Sequence, residues 1–149
     1  MEIRKILAPT DFSACGDAAL AYAAALAKRL GASLTILHAY ELPILGMAEG
    51  ALVATSEVTG RIVVSAEKAL EERKKKMESE GLKVEGLLRQ GIADVEIIEQ
   101  ASATGADLIV MGTHGRRGFS HMLLGSVAER VVRGSHVPVL TRRSAEGSD

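Results

Sequence analysis

Aromatic residues are scarce in this chain: two Phe, two Tyr and no Trp among 149 residues, 3% in all. Proteins that grip single-stranded nucleic acid by stacking bases need more rings than that. Charge of one sign is missing too. Eighteen Lys and Arg stand against 19 Asp and Glu, for a formal net charge of -1. Such a balance offers no basic field to duplex nucleic acid or to an anionic membrane. Cysteine occurs once, as Cys15, which excludes an internal disulfide, and no Cys/His cluster has zinc-ligand spacing. The longest apolar stretch, Ala18 to Ala27, is alanine-heavy and about half of the roughly 20 residues that a membrane span needs. The opening Met1-Glu2-Ile3-Arg4-Lys5-Ile6 lacks the apolar core and cleavage site of a secretory signal. The expectation is a cytoplasmic protein with no nucleic-acid partner and no membrane partner.

What is present is a globular composition, 47% hydrophobic and 25% charged, with 15 Gly and 3 Pro. A chain of this length buries roughly two-thirds of its unfolded surface and needs no staple. Apolar Ile3, Ile6, Leu7 and Ala8 stop at Pro9-Thr10-Asp11, a strand ending in a turn. Ser13 is a cap for a helix over Ala14 to Leu30, and Gly31 is its stop. Ser33 to Ala39 reads as a second strand. Tyr40 to Ser56 carries Pro43, Gly46 and Gly50 without a steady period, and is expected as a long loop with a helical turn near Gly50 to Ala54. Helical spacing returns over Glu57 to Glu80. A third strand is expected over Leu82 to Arg89, and then a helix over Ala93 to Thr104 with Val95, Ile98 and Ala101 inward. Asp107 to Met111 is a buried strand, Ser126 to Arg133 a helix and Val137 to Thr141 a fifth strand. Strands alternating with helices predict an α/β fold, a five-stranded parallel sheet covered on both faces in three layers. The tail from Ser144 to Asp149 is expected to fray.

In an open parallel sheet, ligands bind beyond the carboxyl ends of the strands, where strand order reverses. The loop after the fourth strand runs from Gly112 through Thr113, His114, Gly115, Arg116 and Arg117 to Gly125-Ser126. Its glycines let main-chain N–H groups face a ligand unobstructed. Ser126 opens a helix whose first N–H groups and dipole favour an anion, and Arg116 or Arg117 can add a cation. The plain alternative is a turn and a helix start. Asp11 also has two readings, as a ligand contact at a strand end or as a cap for the following helix. Imidazole is the usual general base at neutral pH, which makes His114 and His121 candidates, yet no orienting partner for either is visible. His38 reads as a satisfied core histidine, His136 as a surface residue and Cys15 as a small filler. Phosphate loops of the Gly-x-x-x-x-Gly-Lys type and Gly-x-Gly-x-x-Gly are absent. So is a carboxylate after the third strand, which a receiver domain would need.

Gly112-x-x-Gly115, nine residues, then Gly125-Ser126 resembles the nucleotide-binding signature of the universal stress protein family. Lys5 to Ser13, Leu37-His38-Ala39, Asp107 to Gly112 and Val137-Pro138-Val139-Leu140 resemble that family's strands in the same order. The resemblance implies a single domain over 1–143, Rossmann-like with strand order 3-2-1-4-5, from the ATP-binding branch. It implies ATP, ADP or AMP as ligand, with Mg2+. By position, Asp11 faces ribose or the metal, and Pro9 and Thr10 shape that wall. Ala39 lies where main-chain groups read adenine. Gly112, Thr113, His114, Gly115, Arg116, Gly125, Ser126 and Val127 lie around ribose and phosphates. It also implies a homodimer through the last strand, with Val137, Val139 and Leu140.

Two functions are compatible with these residues. One is a binding and signalling module in which nucleotide occupancy sets conformation or partner choice during stress. The other is a slow ATPase or phosphotransferase using Asp11 through a metal, which demands a positioned nucleophile and base as well. No such base is visible beside Asp11, which favours the module. A dimeric interaction protein without nucleotide turnover is a third reading.

Overall fold

The structure, a computed structural model, describes residues 1–47, 50–53, 56–115 and 124–145. Its strands are β1 (Lys5–Pro9), β2 (Ser33–Tyr40), β3 (Ile44–Met47), β4 (Gly50–Val53), β5 (Val84–Gln90), β6 (Leu108–Gly112) and β7 (Val139–Arg142). Its helices are α1 (Ala14–Leu30), α2 (Ser56–Ser79), α3 (Ala93–Ala103) and α4 (Ser126–Gly134). The main sheet is parallel and ordered β5-β2-β1-β6-β7. In the order of its own strands that is 3-2-1-4-5, as expected.

Alternation along the strands sorts side chains to two cores. Ile6, Ala8, Leu34, Ile36 and Val110 pack with α1 and α2 on one face. Leu7, Leu37, Ile109 and Met111 pack with α3 and α4 on the other. Three layers result, with β1 buried on both sides. Helix α1 can lie close to the sheet because its inner stripe is small: Ala19, Ala23 and Ala27 are fully buried. Ser13 caps it, its hydroxyl accepting from Gly16 N–H, and Gly31 ends it at φ 65 with its N–H on Ala27 O. That left-handed residue is where glycine costs least.

Three expectations need correction. Residues 40–56 are not one loop with a helical turn, because β3 and β4 form an antiparallel hairpin, Ile44 opposite Val53 and Met47 opposite Gly50. Four-residue arms interrupted by Gly46 are too short for an alternating pattern to declare itself. In α3 the inward residues are Ile97 and Ala101, while Val95 is 42% exposed and Ile98 lies beside Gly134. Several apolar phases fit that short helix equally well. Val137 precedes the last strand rather than opening it, because the Ser135 hydroxyl bonds both its N–H and its C=O and holds a turn there. Residues 146–149 of the expected tail lie outside the described residues. Among the described residues, no helix is long and apolar enough to cross a membrane.

At the amino edge of the sheet, the Asp107 carboxylate accepts from Arg4 N–H at 2.9 Å and Lys5 N–H at 3.0 Å, bracing β6 against β1. These two main-chain bonds hold its carboxyl below the ordinary 3.8. A carboxylate with a lowered folded-state pKa adds stability above its unfolded value, and that stability is lost as pH falls through the lowered one. Asp107→Ala should therefore lower the urea midpoint at neutral pH, and the gap to the parent should close as the pH drops below 3.8. A pH series of urea titrations measures it.

Candidate functional site

The site follows from where β1 stops. Its last rung is Thr10 N–H to Leu37 O at 2.8 Å. Past Thr10 the chain turns toward α1, while β2 runs on to Tyr40. Main-chain groups of a strand point alternately to its two neighbours. Leu37 O faces β1, and Tyr40 O faces the β5 side, where it accepts from Gly91 N–H at 2.9 Å. Ala39 shares the parity of Leu37, so its N–H and C=O face the side that β1 has vacated. On the far side of that gap β6 ends at Gly112, and its chain leaves toward α4.

A cavity of about 570 Å³ fills the gap, within the range of small-molecule sites. The β1 end contributes Pro9, Thr10 and Asp11, and β2 contributes Leu37 and Ala39. The β6 end contributes Met111, Gly112, Thr113, His114 and Gly115. Gly125, Ser126, Val127 and Ala128 come from the start of α4, and Ala93 and Ile97 from α3. The N-cap residues of α3 and α4, Ile92 and Gly125, make no side-chain cap bond. Both helices thus direct N-terminal N–H groups and the positive end of their dipoles to this end of the sheet.

Three glycines make room for this wall. A methyl group at Gly115 would stand 2.8 Å from Asp11 Oδ2. At Gly125 it would stand 2.8 Å from Thr113 O, the atom to which Gly125 donates its own N–H at 2.6 Å. At Gly112 it would meet Cys15 Sγ at 2.9 Å. Cys15 therefore fills the space under the end of β6, near Arg142 O at 3.8 Å.

The reading of Asp11 as the cap of α1 needs correction, because Ser13 holds that place and Asp11 supports it from outside the helix. Its Oδ1 accepts from Ser13 N–H at 3.0 Å and from the Ser13 hydroxyl, while Ser13 itself is the cap. The carboxylate also lines the cavity, and among the described lining residues it is the one acidic group. Phe12 follows at φ 64, a left-handed conformation that costs a non-glycine residue about 1–2 kcal/mol. Its N–H is tied to Thr10 Oγ1 at 3.0 Å. His114 Nδ1 lies 2.8 Å from Thr113 Oγ1. Among the described residues, no group of three His, Cys, Asp or Glu could hold a metal by itself. A Mg2+ at Asp11 would take its other ligands from phosphate and water, the usual habit of that ion.

Eleven of the twelve residues expected at a ligand site thus line one cavity. The twelfth, Arg116, lies outside the described residues, as do Arg117 and His121. Sequence reasoning missed Gly16, Leu37, Ala93, Ile97, Met111 and Ala128. Most are apolar residues that read equally well as core. Gly16, in the first turn of α1, had a signal, since a methyl there would stand 2.9 Å from both Asp11 Oδ1 and Thr10 Oγ1.

Comparison with known proteins matches residues 2–143 to the model of the universal stress protein family. The chain is 38% identical over 139 residues to the universal stress protein MJ0531 of Methanocaldococcus jannaschii, spanning 92% of this chain and 80% of that one. The solved structure of MJ0577, from the same organism, superposes with a TM-score of 0.82 at 29% identity, covering 97% of this chain and 98% of that one. A universal stress protein solved in complex with cAMP superposes with a TM-score of 0.71 at 25% identity, covering 96% and 98%.

The glycines separate in their expected cost. Gly125→Ala drives a methyl against a main-chain carbonyl and should cost about 1–3 kcal/mol. Gly115→Ala meets only the tip of Asp11 and should cost less than about 1 kcal/mol. Urea denaturation of the two variants checks the order. Gly125→Val sets a larger side chain against the same carbonyl and should cost more than Gly125→Ala.

Proposed function

The chain belongs to the universal stress protein family, and on that premise we propose that its cavity binds an adenine nucleotide, ATP foremost. The protein then acts as a binding module of the stress response, with nucleotide occupancy setting its conformation or its choice of partner. One observation carries this reading: the main-chain edge of Ala39, on the side that β1 has vacated, and the glycine-walled start of α4 line the same cavity. The first offers an adjacent donor and acceptor, which suits the edge of a base. The second offers N–H groups and a positive dipole end, which suit phosphate. The family member solved with cAMP adds support, since cAMP joins an adenine base to a phosphate.

In this reading Pro9 and Thr10 form the wall beside the ribose. The Asp11 carboxylate accepts from ribose hydroxyls or holds Mg2+. Gly112, Thr113, His114, Gly115, Gly125, Ser126 and Val127 surround the phosphates, with Arg116 as an added cation. Bound ATP supplies a charge-bearing phosphate chain whose length distinguishes it from ADP and AMP. The residues of this chain bind and orient that group, and Asp11 links its position to the cap of α1. The apolar floor of Leu37, Ile97 and Met111 excludes water from the base. We place the nucleotide unit in one domain over 1–143 and the protein in the cytoplasm.

The second part of the proposal is a homodimer through the last strand. β7 is one of the two edge strands of the main sheet, β5 being the other. Ile109 and Thr113 bond the carbonyls of Pro138 and Arg142, so parity turns the main-chain groups of Val139 and Thr141 outward. An open edge of this kind favours pairing. Val137, Val139 and Leu140 are half-buried against this chain's own core, so main chain supplies more of the contact than side chains do.

Denatured protein should release an adenine nucleotide, or stripped protein should take up ATP stoichiometrically. Asp11→Ala should weaken that binding roughly ten- to hundred-fold, the cost of losing a hydrogen bond to a charged group. Stripped protein that ignores millimolar ATP overturns the nucleotide reading. Substantial turnover, abolished in Asp11→Ala while ATP still binds, would make the protein an enzyme instead. Sedimentation at tens of micromolar should give the mass of a dimer, and a monomer's mass overturns that part alone.

A further inference from the structure

The two residues flanking Asp11 are held from the far side of the sheet. Arg73 of α2 is largely buried, 21% exposed, and its guanidinium makes four hydrogen bonds with its five N–H groups. Nε and Nη2 fork onto the Asp17 carboxylate at 2.6 and 2.9 Å. Nη1 donates to Ala69 O at 3.0 Å, and Nη2 also reaches Phe12 O at 3.4 Å. The guanidinium carbon lies 4.6 Å from the centre of the Phe12 ring. That ring stacks on His38, with centroids 4.2 Å apart. His38 Nδ1 lies 2.8 Å from Thr10 O, and since a carbonyl only accepts, the imidazole donates there.

The series Arg73, Phe12, His38, Thr10 therefore closes around Asp11 from both chain directions. It engages Phe12, the one described non-glycine residue with a positive φ. Conformations of this kind persist where surrounding contacts over-determine them. The geometry points to Arg73 as a positioning residue for the nucleotide site: from α2 it fixes the Thr10-Asp11-Phe12 turn and so aims the Asp11 carboxylate into the cavity. This inference rests on the nucleotide reading for its functional consequence, but the turn it describes exists without ligand. Lysine cannot replace arginine in the role. It carries the charge but lacks the planar fork that holds Asp17 in two bonds while stacking on a ring.

Arg73→Lys is the decisive variant. Arg61→Lys, on the same helix and paired in solvent with Glu57, is its control. Arg73→Lys should weaken ATP binding roughly ten- to hundred-fold, the usual loss when an outer support of a site is removed. In nucleotide-free protein, the amide signals of Phe12 and Ser13 should shift and exchange faster, with the urea midpoint near that of the control. Asp17→Asn, which weakens one anchor of the guanidinium, should change the same signals in the same direction but less. ATP affinity equal to the parent in Arg73→Lys overturns the inference. So does a loss that merely follows the urea midpoint, with Phe12 and Ser13 changing no more than core amides. If the parent protein ignores ATP, the nucleotide reading falls by itself, and the two amides still decide whether Arg73 positions the turn.

Discussion

Right-handed crossovers are the constraint on which this structure depends. A parallel strand, helix, strand connection closes over the sheet with one hand, so the direction in which strands are added decides which face each helix covers. From β1 the chain adds β2 and β5 to one side, placing α1 and α2 on one face. It then returns to add β6 and β7 on the other side, which sends α3 and α4 to the opposite face. The connections leaving β1 and β6 must part, one toward each face. The cleft between them is a product of topology before any binding residue is chosen.

Given that cleft, local chemistry decides what it can hold. Small residues keep it open: Gly112, Gly115 and Gly125 each stand where a methyl group would be within 3 Å of another atom. Main chain supplies much of its polarity through Ala39 and the first turns of α3 and α4. Side-chain charge is sparse, with Asp11 the acidic group among the described lining residues. A cavity built this way suits a ligand with its own charge and hydrogen-bonding edge, which explains why the composition of the chain, near neutral and poor in aromatics, was no guide to it.

Much of this was legible beforehand because periodicity and punctuation agree. Ser13 and Gly31 bracket α1, continuous apolar runs mark β1 and β6, and Gly112, Gly115 and Gly125 announce a loop that must pass close to something. The order of the five parallel strands came from resemblance together with the alternation of elements. The hairpin of β3 and β4 was hidden because four-residue arms carry too few residues to establish a period. The phase of α3 was hidden because Val95, Ile97 and Ile98 are all apolar, and only packing selects Ile97. The Arg73 cluster was invisible for a different reason. Within the Glu71 to Lys76 charge run, an arginine that turns inward has the same local sequence as one that faces solvent.

The brace at Asp107 lies at the amino edge of the sheet, at the opposite end of the strands from the cavity. One acid-sensitive contribution to stability and the cavity thus sit at opposite ends of β1 and β6. None of the cavity's lining residues takes part in the Asp107 brace, so a substitution there can alter how stability responds to acid without altering the wall of the cavity.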